Sequence, residues 1–242
     1  MATTTTTPER PVRTRTGAKV AEPGTLDFLQ KALEDLNLAR EHAQKDAQDG
    51  IDDATERIRA AVFERAGVIT LQERAMPSCG PTDAIVRVTM TTICGTDVHI
   101  LKGEYPVAPG RIIGHEPVGV IHELGSAVVG YEVGDRVLCG AITPCGSCFF
   151  CQHGDGAQCS GTHDEWEMIG GWRLGNSADG VQADFFRVPY AQANLARIPD
   201  DMTDEQCLML ADIASTGISA AETADVQIGH TVAVFAQGPI GL

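Results

Sequence analysis

Positive charge is scarce in this chain. Its 242 residues hold 18 Lys and Arg against 33 Asp and Glu, a formal net charge of -15. A surface of that sign repels phosphate, which argues against nucleic acid or an anionic membrane as partner. Long apolar runs are missing too. Nowhere do 18 apolar residues follow one another, so no membrane span is expected. Met1-Ala2 leads into five Thr rather than the apolar core of a secretory leader. The expectation is therefore a reducing, cytoplasmic setting. There the eight cysteines read as metal ligands or buried thiols before they read as disulfides. The remaining balance, 43% hydrophobic and 21% charged, is ordinary for a globular protein, with length for one large domain or two small ones.

Four segments differ in texture. Residues 1–24 are rich in Thr, Pro and Arg without apolar periodicity and read as a disordered tail. The Arg-Thr-Arg-Thr pattern imitates a mitochondrial transit peptide, but Glu9 and Glu22 count against it. Residues 25–57 read as a helical extension: Leu26, Leu29, Leu33 and Leu36 fall at helical spacing, with polar residues opposite. That leucine face (residues 25–48) suits packing on its own domain, on a symmetry mate or in a partner protein's groove. Residues 58–200 carry short β-type runs between Gly, Pro and Ser: Ala60–Phe63, Ile69–Leu71, Ala84–Met90, Pro117–Leu124, Arg136–Cys139 and Phe185–Pro189. They suggest a twisted, partly closed β-barrel. Residues 201–242 predict one helix from Thr203 to Ala224, a turn, and an apolar parallel-type strand at Thr231–Phe235.

Within the third segment Cys145, Cys148, Cys151 and Cys159 are the strongest signal. Four thiolates at spacings of two, two and seven residues can wrap one tetrahedral ion with no open position. Gly146, Gly154 and Gly156 allow the chain to turn tightly between them, so residues 140–165 read as a zinc lobe. Cys79, Cys139 and Cys207 remain as ordinary thiols.

A second set is more dispersed. Cys94 opens a Gly-Thr-Asp turn, His115 follows Gly114, and Asp212 lies within the predicted final helix. Thiolate, imidazole and carboxylate make three ligands and leave a zinc ion's fourth position open for water or substrate. Glu116 and Asp97 add carboxylates nearby, a costly arrangement without a cation.

These residues sit in motifs. Cys94-Gly95-Thr96-Asp97-Val98-His99, Gly114-His115-Glu116-Pro117-Val118-Gly119 and Gly134-Asp135-Arg136-Val137 resemble the zinc-dependent medium-chain alcohol dehydrogenases. Gly170–Asn176 and Leu210–Gly217 resemble the bacterial secondary-alcohol, isopropanol-type branch, in which an Asp replaces the usual second Cys ligand. That branch often lacks the four-cysteine lobe, so the chain combines features of two branches. The resemblance implies an α+β fold: a GroES-like β-barrel catalytic domain with a zinc lobe, followed by the first strand of a Rossmann domain. It implies two zinc ions per chain. Catalytic zinc would be held by Cys94, His115 and Asp212, with Glu116 close by and Asp97 orienting His115 from behind. Structural zinc would be held by Cys145, Cys148, Cys151 and Cys159. Thr96 and then His99 would carry the alcohol proton outward, and Trp172 would line a small alkyl pocket.

Ala236-x-Gly238-x-x-Gly241 after an apolar run is similar to a dinucleotide fingerprint, which makes Gly238 and Gly241 the expected NAD or NADP contacts. The helix and second strand that such a site needs do not follow within this sequence. Two functional expectations result. One is a fragment of an alcohol dehydrogenase for small, secondary alcohols, homo-oligomeric at full length. The other is a catalytically silent zinc protein that docks a partner through the 25–48 helix.

Overall fold

The computed structural model describes residues 57–161 and 170–242, with Lys31 besides. The tail and the helical extension expected over residues 1–57 lie almost wholly outside the described residues, as does part of the 140–165 lobe.

Among the described residues, eight strands form two antiparallel sheets. The smaller has the order β2 (Val68–Ala75), β1 (Arg57–Arg65), β4 (Arg111–Ile112). The larger has the order β7 (Phe185–Val188), β3 (Ala84–Thr91), β5 (Pro117–Leu124), β6 (Arg136–Cys139), β8 (Leu195–Arg197). Alternation sets the inner face of β1. Ile58, Ala60 and Val62 are buried, while their neighbours Arg57, Arg59 and Ala61 are not. In β3, which pairs with β7 on one edge and β5 on the other, Ala84, Ile85 and Val86 are all buried. The sheets are joined by the segment after Gly180. Ala61 N–H donates to Gln182 O at 2.8 Å, Asp184 N–H to Arg59 O at 3.0 Å, and Val88 N–H to Asp184 O at 2.9 Å. One stretch of chain thus bonds to both sheets and partly closes the barrel.

The main core inside it comprises Val86, Ile121, Val137, Leu174, Val181 and Phe186 with their neighbours. A second cluster of Phe63, Ile100, Val107 and Ile113 lies next to Trp172. A third, with Val118, Ile198, Cys207 and Leu208, seats the start of the C-terminal helices on the barrel. Gly119 allows β5 to lie against β3, since a Cβ there would meet Arg87 O at 2.3 Å.

Three expectations change. Cys94 opens not a turn but a helix, α1 (Gly95–Leu101), because the Asp97 carboxylate accepts from Cys94 N–H at 2.8 Å and stabilises its first turn. The single helix expected over 203–224 is two. Thr203 caps α4 (Asp204–Leu208), and α5 (Ile213–Thr223) begins only after Asp212. Asp212 therefore stands at the head of α5, outside the helical conformation with φ -144° and ψ -58°, rather than in a helix interior. Two further short helices, α2 (Phe149–Gln152) and α3 (Ala191–Asn194), border the cysteine lobe and β8. Finally, Thr231–Phe235 is not a strand: Val232, Val234 and Phe235 are exposed and pair with no described strand. A parallel strand is stabilised by flanking strands and covering helices, and among the described residues this segment has neither.

Candidate metal centres

α1, the start of β5 and the head of α5 converge on one point. The ligand atoms of Cys94, His115, Glu116 and Asp212 all lie within 4.8 Å of one another. His115 Nε2 is 3.5 Å from Asp212 Oδ2 and 3.7 Å from Glu116 Oε1. Zinc bonds of about 2.0–2.3 Å at tetrahedral angles place ligand atoms about 3.3–3.8 Å apart, so these separations fit one ion. The chemistry of the donors points the same way. Glu116 is 1% exposed, and its Oε1 has no hydrogen-bond partner. Its other oxygen is bonded by the Thr92 hydroxyl. A buried carboxylate oxygen without a donor is costly unless a cation faces it.

Backbone geometry sets this arrangement. Gly114 has φ +92°, a conformation that L-residues rarely adopt, and a Cβ there would meet Gln182 Cγ at 2.6 Å. Gln182 in turn donates through Nε2 to Asp97 Oδ2 at 3.1 Å. Ser215 Oγ and Thr216 N–H both donate to Asp212 O, at 2.8 and 2.7 Å, and the Thr216 hydroxyl bonds the Asp212 carboxylate. Asp212 is held in place from α5 by residues whose roles were not legible in the sequence.

The charges of the site act on one another. Burial alone would lower the His115 pKa, but hydrogen bonds to Asp212 and Cys94 and the charge of Asp97 outweigh it and bring it to about 10. The reciprocal bond from His115 draws the Asp212 carboxyl down to about 2. Burial pushes Asp97 up, against the pull of His115. Asp97 and His115 are linked by charge rather than by a hydrogen bond. Asp97 spends one oxygen on Cys94 N–H and Gln182, while Asp97 Oδ1 and His115 Nδ1 both lack a hydrogen-bond partner. Its influence on His115 is electrostatic, and its bonds hold the start of α1 and Gln182.

Around this point lie the other expected residues. Thr96 Oγ1 is 3.6 Å from Cys94 Sγ. His99 is about half exposed, at 49%, and bonds the Glu104 carboxylate through Nδ1. The Trp172 ring meets His115 edge-on at 6.3 Å between centroids and Tyr105 at 5.6 Å. Tyr105, which also packs on His99 at 5.5 Å, was not singled out by any sequence pattern. Gly238 and Gly241 do not assemble a cofactor cradle. The segment directly before them, Thr231–Phe235, is not a strand, so the strand that leads into a dinucleotide fingerprint is not formed here among the described residues.

The second cluster is built from sulfur alone. Sγ separations are 3.4 Å for Cys148–Cys151 and 3.9 Å for both Cys145–Cys151 and Cys148–Cys159. All four cysteines are free, and the separations bracket the ~3.8 Å edge of a zinc–thiolate tetrahedron with bonds of about 2.3 Å. Donors converge on the sulfurs. Cys148 N–H points at Cys145 Sγ at 3.3 Å, and Cys145 N–H and Gly161 N–H point at Cys159 Sγ at 3.2 and 3.3 Å. Backbone donation by Cys151 helps draw the Cys148 thiol down to about 5, while burial and the neighbouring sulfurs push Cys151 up to about 12. Cys159 is drawn below its ordinary value despite burial, by those amides and by Arg173. The leftover thiols differ: burial pushes Cys139 up to about 12, and Cys207 is buried, but Cys79 is only half-buried.

The model of the alcohol dehydrogenase GroES-like domain matches residues 80–200. The chain belongs to that family. It is 57% identical over 198 residues to an alcohol dehydrogenase of Cupriavidus necator, covering 78% of this chain and 54% of that protein. It is 39% identical over 171 residues to an NADP-dependent isopropanol dehydrogenase of Thermoanaerobacter brockii, covering 70% and 47%. Among solved structures, alcohol dehydrogenase TADH from Thermus sp. ATN1 superposes with a TM-score of 0.68 at 33% identity, over 76% of this chain and 52% of that one. The chain spans about half the length of the curated relatives it matches.

Proposed function

We propose that this chain supplies the metal- and alcohol-binding half of a zinc-dependent alcohol dehydrogenase that acts on small, secondary alcohols. One observation carries the reading: a thiolate, an imidazole and two carboxylates from three separate elements meet within 4.8 Å in a partly buried site. Cys94, His115 and Asp212 would hold the catalytic zinc, and Glu116 stands beside it as an exchangeable donor. Cys145, Cys148, Cys151 and Cys159 would hold a second, structural zinc. The catalytic ion supplies Lewis-acid polarisation of the alcohol oxygen.

The chain's own residues do the rest on this side of the reaction. Thr96, two positions after Cys94, offers a hydroxyl that accepts the alcohol proton and passes it on. His99 can receive it where the imidazole meets solvent, with Glu104 holding its Nδ1. Trp172 and Tyr105 present ring faces and edges that suit a short alkyl group and exclude water from it. Hydride acceptance belongs to NAD or NADP and is drawn from the names of the relatives, one of which is NADP-dependent.

The test uses cobalt as a visible reporter. Cobalt-loaded chain should change its visible absorption on addition of 2-propanol, and the Cys94→Ala chain should not. An alcohol-insensitive spectrum in the wild-type chain would remove the proposal.

A further inference from the structure

Arg173 is only 1% exposed, the largest of the fully buried side chains. It lies next to Trp172 in sequence and points the other way, into the cysteine lobe. Its Nη2 donates to Cys159 Sγ at 3.2 Å and its Nη1 to Thr143 O at 2.8 Å. Cys159 is itself fully buried, and Thr143 N–H returns to Gly171 O at 2.8 Å. The guanidinium thus ties together the last cysteine of the lobe, the strand of chain that enters it and the Gly170–Asn176 turn.

A guanidinium cannot shed its proton, and burying it costs several kcal/mol unless a counter-charge compensates. A neutral thiol is a weak acceptor and no counter-charge at all. Four thiolates around one divalent ion, by contrast, carry a net charge of minus two. A buried cation with its Nη2 3.2 Å from Cys159 Sγ and an anionic metal cluster on that sulfur stabilise each other. We propose that Arg173 is a positioning residue for the lobe: it neutralises part of the zinc–tetrathiolate charge, fixes the Cys159 sulfur through its donor fork and slows loss of the metal. This rests on the reading that the four cysteines bind zinc.

The test separates the two claims. Zinc content is measured for the wild-type chain, Cys145→Ser, Arg173→Gln and Arg173→Lys, together with release of lobe zinc to a chromogenic chelator. A fall of one zinc per chain in Cys145→Ser establishes the lobe site, and no fall overturns both claims. Given that fall, Arg173→Gln should release lobe zinc about 10–100-fold faster, the usual cost of losing a partner that orients a ligand. Arg173→Lys, which keeps the charge but gives up the forked donor, should lie between the two. Wild-type rates in both variants overturn the inference alone. A spectroscopic readout guards against a merely structural effect. In the cobalt-loaded chain the sulfur-to-metal charge-transfer band should move to lower energy in Arg173→Gln, since Cys159 loses a donor, and partly return in Arg173→Lys. A band that stays in place in both variants counts against the role. Should Arg173→Gln precipitate, Arg173→Lys against wild type carries the same comparison.

Discussion

Asp212 is far from Cys94 and His115 along the chain, yet its carboxylate comes within 3.5 Å of His115 Nε2. It does so because the backbone leaves helical geometry at that residue and α5 then fixes it with Ser215 and Thr216. Removing the carboxylate should therefore release one metal without touching the cysteine lobe: Asp212→Ala is expected to hold one zinc fewer than wild type, by mass spectrometry under native conditions. Asp97 binds the start of α1 through Cys94 N–H and acts on His115 by its charge. Asp97→Asn should thus weaken metal at the open site by about 10–100-fold in chelator competition while zinc in the lobe stays put. An unchanged affinity would confine Asp97 to capping α1. The four-cysteine cluster was legible from spacing and the Cys94, His115 and Asp212 set from the motifs that carry the resemblance, and the ligand atoms of each set do converge. The supporting residues were not legible, because Gln182, Thr216, Tyr105 and Arg173 carry no spacing signal and acquire their roles only when the sheets bring distant segments together.

At the scale of elements, alternation and turn residues made most strands readable: β5 and β6 fall where the apolar pattern placed them. β4 and β8, two and three residues long, are too short to show a period. The break between α4 and α5 was hidden because the composition of 209–212 is compatible with helix, and tertiary contacts decide it. Ala211 O, for one, accepts from Ala141 N–H at 2.9 Å. Close approach of β3 and β5 yields a sharp expectation. Gly119→Ala would press a methyl group onto Arg87 O, and overpacking of this kind costs about 1–3 kcal/mol, measurable as a lower denaturation midpoint. Asp204 joins three elements, accepting from Thr89 Oγ1 of β3 and Arg136 Nη2 of β6, both at 2.6 Å. Although burial works against ionisation, those two donors hold its carboxyl below the usual range. A depressed folded-state pKa contributes stability that is full above the ordinary carboxylate value of about 4 and is lost as pH falls through the folded value. Asp204→Asn should lower the melting temperature at pH 7 and close the gap with wild type toward pH 3; an equal gap at both pH values would contradict this.

At the scale of the molecule, two metal-ligand sets share one barrel, and the chain covers about half of its curated relatives. The apolar residues of the last segment, Ile228, Val232, Val234 and Phe235 among them, stand exposed. The strand predicted there failed for a whole-molecule reason. A parallel strand depends on a sheet, and the described residues offer it none. The metal binding proposed above draws its donors from the barrel, its lobe and the head of α5, all among the described residues. Zinc per chain in the wild type, in Cys94→Ala and in Cys145→Ser, read by native mass spectrometry, tests that most directly. The account predicts two, one and one; a wild type with fewer than two, or either variant still holding two, would contradict it.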